Sequence, residues 1–160
     1  MTDATRSELL GKLKLWGDTA LKTKCEPVLP GEDLSFLYTM RKVCNATSNG
    51  VGLAAPQIGV LKRAIFINPD RDKYGRFMVN PEIIHASPEM IKWTEGCLSY
   101  PGYTIKTTRH KHITVRYFDK DMSGPHTWML SDFASVIVQH ELDHCSGVCA
   151  LEDAWLSQTR

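Results

Sequence analysis

With 160 residues, the chain is long enough for one domain with a hydrophobic core and too short for two ordinary domains. Its net charge of +1 provides no basic excess for binding nucleic acid, and no apolar run approaches the roughly 18 residues that a membrane span needs. The five cysteines are odd in number and unevenly spaced, which argues against a disulfide framework and favours the reducing cytoplasm.

The first predicted helix follows an N-terminal extension, residues 1–12, which lacks the apolar region of a secretory signal. Within residues 31–50, apolar side chains recur at helical spacing before an Asn-Gly stop. These apolar positions are Phe36, Leu37, Met40, Val43 and Cys44. The periodicity predicts an amphipathic helix with one buried face.

Short β-branched or aromatic runs, separated by Pro, Gly and Asp, predict strands at residues 63–68, 76–84, 90–95 and 112–118. A second helix is predicted from Ser131, a suitable N-cap, to Gly147, a typical residue after a helix end. The residues after it leave room for a final turn. This order predicts a single α+β domain over residues 1–160, in which antiparallel sheets wrap around a central C-terminal helix and one N-terminal helix precedes them.

The sequence QHELDH, residues 139–144, places two histidines four positions apart on the second helix. Residues i and i+4 share one helix face, so His140 and His144 can direct their rings at a single ion while Glu141 lies beside it. If the histidines and glutamates of this chain were placed at random, H-E-x-x-H would be expected only about 0.01 times. The spacing therefore predicts a metal site, with Leu142 on the other side of the helix packing in the core.

Two histidines do not hold a transition metal firmly, so a third protein ligand is expected, with one position left open for water. In one class of metalloproteases the motif continues as H-x-x-G-x-x-H, and its last histidine is the third ligand. Here Gly147 matches the glycine, but position 150 is Ala150 instead of histidine. The only carboxylates downstream are Glu152 and Asp153. The more promising ligand lies upstream in WTEGCLSYPG, where the Cys97 thiolate would complete a Cys/His/His set.

Three segments belong together: NGVGLAAPQIGV (49–60), EGCLS (95–99) and QHELDH (139–144). They resemble the three signatures of the peptide deformylases, complete and in family order. WGDTALKTKCEPV (16–28) and VNPEII (79–84) are also similar to family segments. The resemblance covers almost the whole chain and implies an α+β domain with the third signature on a central helix.

The resemblance also implies a role for the signature residues. The implied metal ligands are Cys97, His140 and His144. The implied catalytic groups are Glu141 as acid and base, and Gln57 with the backbone N–H of Leu98 as the oxyanion site. The implied substrate contacts are Gly50, Val51, Gly52, Gly96 and Leu142.

For further residues near the signatures, two structural roles are considered. Arg109 is expected to pair with Glu95 and brace the cysteine loop, and a solvated cation at a strand end is the alternative. Cys145 and Cys149 closely follow His144 and resemble ligands in position. Because Cys145 points about 100° away from His144 on a helix, it is expected to fill the core instead.

The resemblance implies one divalent ion per chain, with ferrous iron as the working metal and zinc, nickel or cobalt as substitutes. It implies N-formylmethionyl peptides and nascent chains as substrates, formate as a product, and a transient ribosome association that uses no C-terminal tail. No nucleic acid or membrane partner is expected, and a bacterial or virus-infected cytoplasm is favoured over an organelle. Two other hypotheses stay open: a different metallohydrolase, such as a peptidase, and a metal-stabilised binding module without turnover.

Overall fold

The computed structural model describes residues 1–159, and the side chains of Asp153, Gln158 and Thr159 lie outside that description. In chain order the elements are α1 (Asp3–Leu10), α2 (Phe36–Ala46), β1 (Gly52–Ala54), β2 (Ala64–Ile67), β3 (Arg76–Ala86), β4 (Met90–Gly96), β5 (Thr104–His110), β6 (His112–Phe118), β7 (His126–Ser131), α3 (Asp132–Cys145) and α4 (Ala150–Thr159). Short 3₁₀ turns occur at Thr19–Lys22 and Ala55–Ile58. Among the described helices, none combines the length and the apolar composition that crossing a bilayer requires.

The strands form two antiparallel sheets. The larger sheet has the order β1-β2-β3-β6-β7, and β4 pairs only with β5 in a smaller sheet. The register of β3 against β6 shifts between Val79 and Glu82, next to Asn80 with its φ of 51°. The Asn80 side chain accepts a hydrogen bond from Val28 N and donates one to Val28 O, which ties the N-terminal segment to this bulge.

The larger sheet has a helix on each face, and β2 lies buried between them. Ile65 and Ile67 belong to the core cluster that contains α3, whereas Ala64 and Phe66 belong to the cluster that contains α2. Successive residues of a strand point to opposite faces, so a strand covered on both faces reads as a continuous apolar run. This explains the sequence AIFI.

Helix α3 carries the H-E-x-x-H motif through the interior, and residues 135–141 are continuously buried. Ser131 has the extended backbone of an N-cap, but its hydroxyl contacts His112 Nδ1 at 2.7 Å and caps no helix amide. At the other end, Gly147 has a φ of 76°, and its N–H donates to His144 O. A Cβ there would lie 2.8 Å from Lys22 O, so glycine is needed for both conformation and space.

The α+β prediction is confirmed, but the structure contains elements that the sequence analysis missed: α1, β1, β5, β7 and α4. Strand β5, TIKTTRH, is mostly polar, and its position is set by pairing with β4 rather than by an apolar pattern of its own. The expected final turn is the ten-residue helix α4, on which Trp155 packs against Trp16 with ring centroids 4.0 Å apart. Helix α1 docks on α2 through the Arg6 side chain, which donates to Ala46 O.

Candidate active site

A cavity of about 500 Å³ lies where the three signature segments meet. The first signature contributes Gly50, Val51, Gly52 and Gln57 to its wall, and the second contributes Glu95, Gly96, Cys97 and Leu98. Helix α3 contributes His140 and Glu141. Segments far apart in the sequence therefore line one space, as the resemblance predicts.

Four potential metal-binding side chains converge beside this cavity. The ligand atoms of Cys97, His140, His144 and Cys149 all lie within 4.8 Å of one another. Cys97 Sγ is 3.2 Å from His144 Nε2. The two histidines come from α3, Cys97 directly follows β4, and Cys149 lies in the connection between α3 and α4.

A buried ion-pair network orients His140. Its Nδ1 is 2.8 Å from Glu95 Oε1, so the opposite ring nitrogen, Nε2, is the one available to a metal. Arg109 donates to both oxygens of Glu95, at 2.6 and 2.9 Å, and also to Asp143 at 2.9 Å. The predicted Arg109–Glu95 pair is thus present, and the Thr107 hydroxyl also donates to Glu95.

The charge of Glu95 is maintained by these contacts. Burial alone raises the pKa of its carboxyl group, but the hydrogen bonds from His140, Arg109 and Thr107 outweigh burial and lower the pKa to about 2. A carboxylate that stays ionised is a strong acceptor for the His140 N–H. It therefore fixes both the orientation and the tautomer of that ring.

Glu141 is buried with one oxygen unused. Its side chain is 5% exposed, and within residues 1–159 its Oε2 has no hydrogen-bond partner. Burial raises the pKa of Glu141 to about 8, although nearby His144 acts in the opposite direction. An unpartnered carboxylate oxygen in a cavity is costly unless a ligand, water or proton occupies the position next to it.

The amide of Gln57 is fixed with its donor towards the cysteine. Its Oε1 accepts from Ala54 N at 2.9 Å, and its Nε2 donates to Ser99 Oγ at 3.0 Å and to Cys97 Sγ at 3.6 Å. Gln57 is 1% exposed and lies on the 3₁₀ turn after β1. Its NH₂ group therefore has a defined orientation towards Cys97 and Ser99.

The donor set fits a transition metal. Thiolate and imidazole ligands suit zinc, iron, nickel and cobalt, whereas magnesium and calcium prefer oxygen. The hydrogen bond between the two thiols lowers the pKa of Cys149 and raises that of Cys97, so the pair releases one proton more readily than two. The thiol sulfurs and ring nitrogens that converge here are the ligands that such a divalent cation would use.

The other candidate ligands lie elsewhere. Glu152 pairs with Lys22 at 2.8 Å, and the Asp153 side chain is outside the described part of the chain. Cys145 is fully buried and contacts Ala64 O, in agreement with core filling. Cys149 was not assigned to the site, and the structure places it there because the chain turns back at Gly147.

One expectation about substrate contacts needs correction. Leu142 does not line the cavity; it packs against the core cluster beneath α3, because it lies about 200° around the helix from His140. At Gly52 the space of a missing Cβ is filled by protein, since a Cβ would lie 2.9 Å from Glu141 Oε1. At Gly50 a Cβ would meet Thr47 Oγ1. Both glycines line the cavity, and their missing side chains leave room for these neighbouring protein atoms.

Sequence reasoning missed an apolar part of the wall, which consists of Trp93, Phe133, Val136 and Ile137. Val136 and Ile137 precede the motif by one turn of α3, so helical spacing from His140 contained the signal for them. Trp93 and Phe133 pack against each other with ring centroids 5.3 Å apart and ring planes tilted by 59°. No local pattern joins these two residues, which come from β4 and α3.

A helical histidine pair with a buried glutamate, a nearby cysteine and an adjoining cavity define a metallohydrolase type of centre. Residues 11–159 match the family model described as Polypeptide deformylase. The chain therefore belongs to the peptide deformylase family, whose enzymes remove the N-terminal formyl group from nascent peptides in a metal-dependent reaction.

Individual relatives agree with this assignment. The peptide deformylase of Rickettsia akari is 39% identical over 140 residues, covering 81% of this chain and 79% of that protein. The actinonin complex of the deformylase from Vibrio parahaemolyticus bacteriophage VP16T has a TM-score of 0.78 at 32% identity, covering 86% of this chain and 98% of that one. The Met-Ala-Ser-bound enzyme of Acinetobacter baumannii has a TM-score of 0.75 at 34% identity, covering 88% and 95%.

Proposed function

We propose that this chain deformylates N-formylmethionyl nascent peptides with one divalent ion held by Cys97, His140 and His144. Glu141 moves the proton, and Gln57 with the Leu98 N–H stabilises the oxyanion. The observation that carries this assignment is the convergence of the ligand atoms of Cys97, His140 and His144, while the next residue after His140, Glu141, has a buried oxygen without a partner among the described residues.

Amide hydrolysis needs an activated water, a proton for the leaving amine and stabilisation of the oxyanion, and the proposed residues supply these functions. When bound, a divalent cation lowers the pKa of water from 15.7 towards about 7 and polarises the formyl carbonyl. Glu141 accepts the proton of the attacking water and passes it to the amine, which is too basic to leave as an anion. Gln57 Nε2 donates to the oxygen on which charge develops, and a single such donor is worth about 2.7–4 kcal/mol in the transition state.

The apolar part of the cavity is proposed to bind the methionine side chain. Trp93, Phe133, Val136 and Ile137 form a wall next to His140 and Glu141, and Val51 lies on the same cavity. A flexible thioether packs well against aromatic and branched side chains. The relative from Acinetobacter baumannii, solved with Met-Ala-Ser bound, supports a peptide with N-terminal methionine as ligand.

Ferrous iron is the proposed physiological ion, with zinc, nickel and cobalt as substitutes. Thiolate and imidazole ligands support this range of metals, and a thiolate donates charge to the ion, so activity should depend on the metal. Iron next to a thiolate is open to oxidation. We expect the iron-loaded chain to lose activity in air, with oxidation of Cys97 detectable by mass spectrometry, and the nickel-loaded chain to keep its activity.

The proposed setting is the cytoplasm, where nascent chains emerge and where a transient ribosome contact is expected. The free cysteines within the described residues fit a reducing compartment. Deformylases that this chain resembles include one from the bacterium Rickettsia akari and one from a Vibrio parahaemolyticus bacteriophage.

The decisive assay is formate release from formyl-Met-Ala by iron-loaded protein purified without oxygen. The acetylated peptide and an unformylated internal peptide are the controls. We expect formate from the formyl peptide and no reaction with either control. Cleavage of the internal peptide without formate release would support a peptidase, and the absence of both reactions would support a binding module.

A further inference from the structure

The side-chain amide of Gln57 has one more hydrogen-bond donor than the oxyanion role uses. An amide NH₂ carries two N–H groups, and one of them is enough for the oxyanion. In this structure Nε2 has two acceptors, Ser99 Oγ at 3.0 Å and Cys97 Sγ at 3.6 Å. A thiol sulfur accepts only weakly, so the bond to Ser99 is the stronger of the two. None of the roles proposed above uses Ser99.

Ser99 is enclosed in protein and does not reach the cavity. Its exposed fraction is 0%, and among the described residues that line the cavity Gln57 is present and Ser99 is absent. Ser99 lies in the tight turn after β4, in which Tyr100 N donates to Cys97 O at 3.0 Å. The hydroxyl can therefore influence the reaction only through a neighbour, and Gln57 is the cavity residue that it contacts.

The main chain of a short N-terminal segment holds both partners of this hydrogen bond. Lys14 N donates to Gln57 O at 2.7 Å, and Trp16 N donates to Ser99 O at 3.0 Å. Gln57 and Ser99 are 42 positions apart in the sequence, yet both are bonded to the segment 14–16. With both backbones held, the distance between hydroxyl and amide is set by the fold and not by the two side chains alone.

We propose that Ser99 is a positioning residue that sets the plane of the Gln57 amide for the oxyanion. The inference rests on the deformylation proposed above. The last torsion of a glutamine side chain has a broad range, so one hydrogen bond does not fix the amide plane. Ala54 N holds the oxygen end of the amide, and Ser99 holds one hydrogen at the nitrogen end. The other hydrogen, on the side of Cys97, then has a fixed direction and can exchange its long sulfur contact for the oxyanion without reorganisation.

The order of the Gln57 amide is measurable without turnover. Nuclear magnetic relaxation of its NH₂ group in the zinc-loaded full chain, assigned by comparison with Gln57→Leu, gives an order parameter. We expect a value near the roughly 0.85 of a rigid backbone in the wild type and below about 0.6 in Ser99→Ala. The matched control is Ser135→Ala, because Ser135 is also 0% exposed and accepts from Gln139 Nε2 at 2.9 Å. This control should leave the Gln57 amide rigid.

Kinetics with formyl-Met-Ala separates positioning from a general loss of structure. Ser99→Ala should lower kcat by about 10-fold, the effect of one hydrogen bond, while KM and the metal content stay at the wild-type level. In a chain that already carries Gln57→Leu, Ser99→Ala should change kcat by less than about two-fold, because the amide that it orients is gone. Ser135→Ala should keep the wild-type kcat.

A rigid Gln57 amide in Ser99→Ala would overturn the inference, and so would an equal loss of kcat with and without the Gln57 side chain. If Ser99→Ala does not fold, Ser99→Cys has nearly the volume of the wild type, and its weakly accepting sulfur should also loosen the amide. The outcome is separable from that of the proposed function. A loosened amide without formate release by the wild type would contradict the function only, whereas a rigid amide with formate release would contradict the role of Ser99 only.

Discussion

The carboxylate of Glu141 has room in the core because residue 52 has no side chain. A Cβ at Gly52 would lie 2.9 Å from both Glu141 Oε1 and Ile137 Cγ2. Such contacts are too short to persist, so one of these groups must move. At the scale of single residues, the missing atom at position 52 thus helps to set the position of the Glu141 carboxylate.

The variant Gly52→Ala tests this relation. We expect the displaced carboxylate to lower kcat by about 100-fold, as a misplacement of roughly 1 Å does, while the metal content stays at the wild-type level. The control is Gly11→Ala, where a Cβ meets only ordinary contacts at 3.4 Å and φ is −65°. Wild-type kcat in Gly52→Ala would show that the carboxylate tolerates the shift.

Gln57 gives a second prediction at this scale. Replacement by leucine keeps the volume but removes the Nε2 donor, so we expect kcat to fall by about 10²–10³-fold. Steady-state kinetics with formyl-Met-Ala measures the change, and thermal unfolding shows how much stability is lost with the Ala54 N–H left unpaired. A rise in KM at unchanged kcat would assign Gln57 to substrate binding instead.

How far sequence predicts single residues depends on local regularity. The pair His140 and His144 follows from helical spacing, whereas Cys97 was one candidate for the third ligand and was singled out by the family resemblance. Cys149 follows from neither, because Gly147 turns the chain back by a conformation that no periodicity contains. Trp93 and Phe133 likewise meet only through the packing of β4 on α3.

At the scale of elements, the pair β4 and β5 ends next to Cys97 and is joined to α3 by Glu95 and Arg109. Glu95 is on β4, Arg109 is on β5, and Arg109 also reaches Asp143 on α3. The network therefore joins the small sheet to the helix that carries both histidines. Because Glu95 is 5% exposed, its charge depends on these partners.

The variant Arg109→Ala should affect stability and metal binding together. Removing one partner of a buried ion pair costs about 3–5 kcal/mol, and we expect a loss near the lower end because Asp143 is partly solvated. Urea unfolding of the metal-free chain measures the first effect, and chelator competition measures the second. Arg116→Ala, an exposed arginine on β6, is the control and should leave both unchanged. Unchanged metal affinity in Arg109→Ala would exclude the bracing role.

Elements with their own apolar pattern were predictable, and elements that depend on a partner were not. Helix α2, helix α3 and strands β2, β3, β4 and β6 lie within or close to the predicted ranges. Strand β7 has exposed residues on one face and one fully buried residue, Leu130, so its pattern is weak. Its place in the sheet follows from pairing with β6, a contact that local sequence does not contain.

At the scale of the whole molecule, the site exists because α3 lies between the two sheets. The helix contacts β1 and β2 of the larger sheet and β5 of the smaller one. Each sheet carries one signature to the helix, Gln57 after β1 and Cys97 after β4. The α+β class was predictable from the element order, but this arrangement required the pairing of all seven described strands.

The central claim is that Cys97, His140 and His144 hold the ion while Glu141 moves the proton. The most direct test measures metal content and formate release on the same anaerobic samples of wild type and Glu141→Ala. We predict one ion per chain in both, with formate release lower by about 10²–10⁴-fold in the variant. Full activity of Glu141→Ala at one ion per chain would contradict the account.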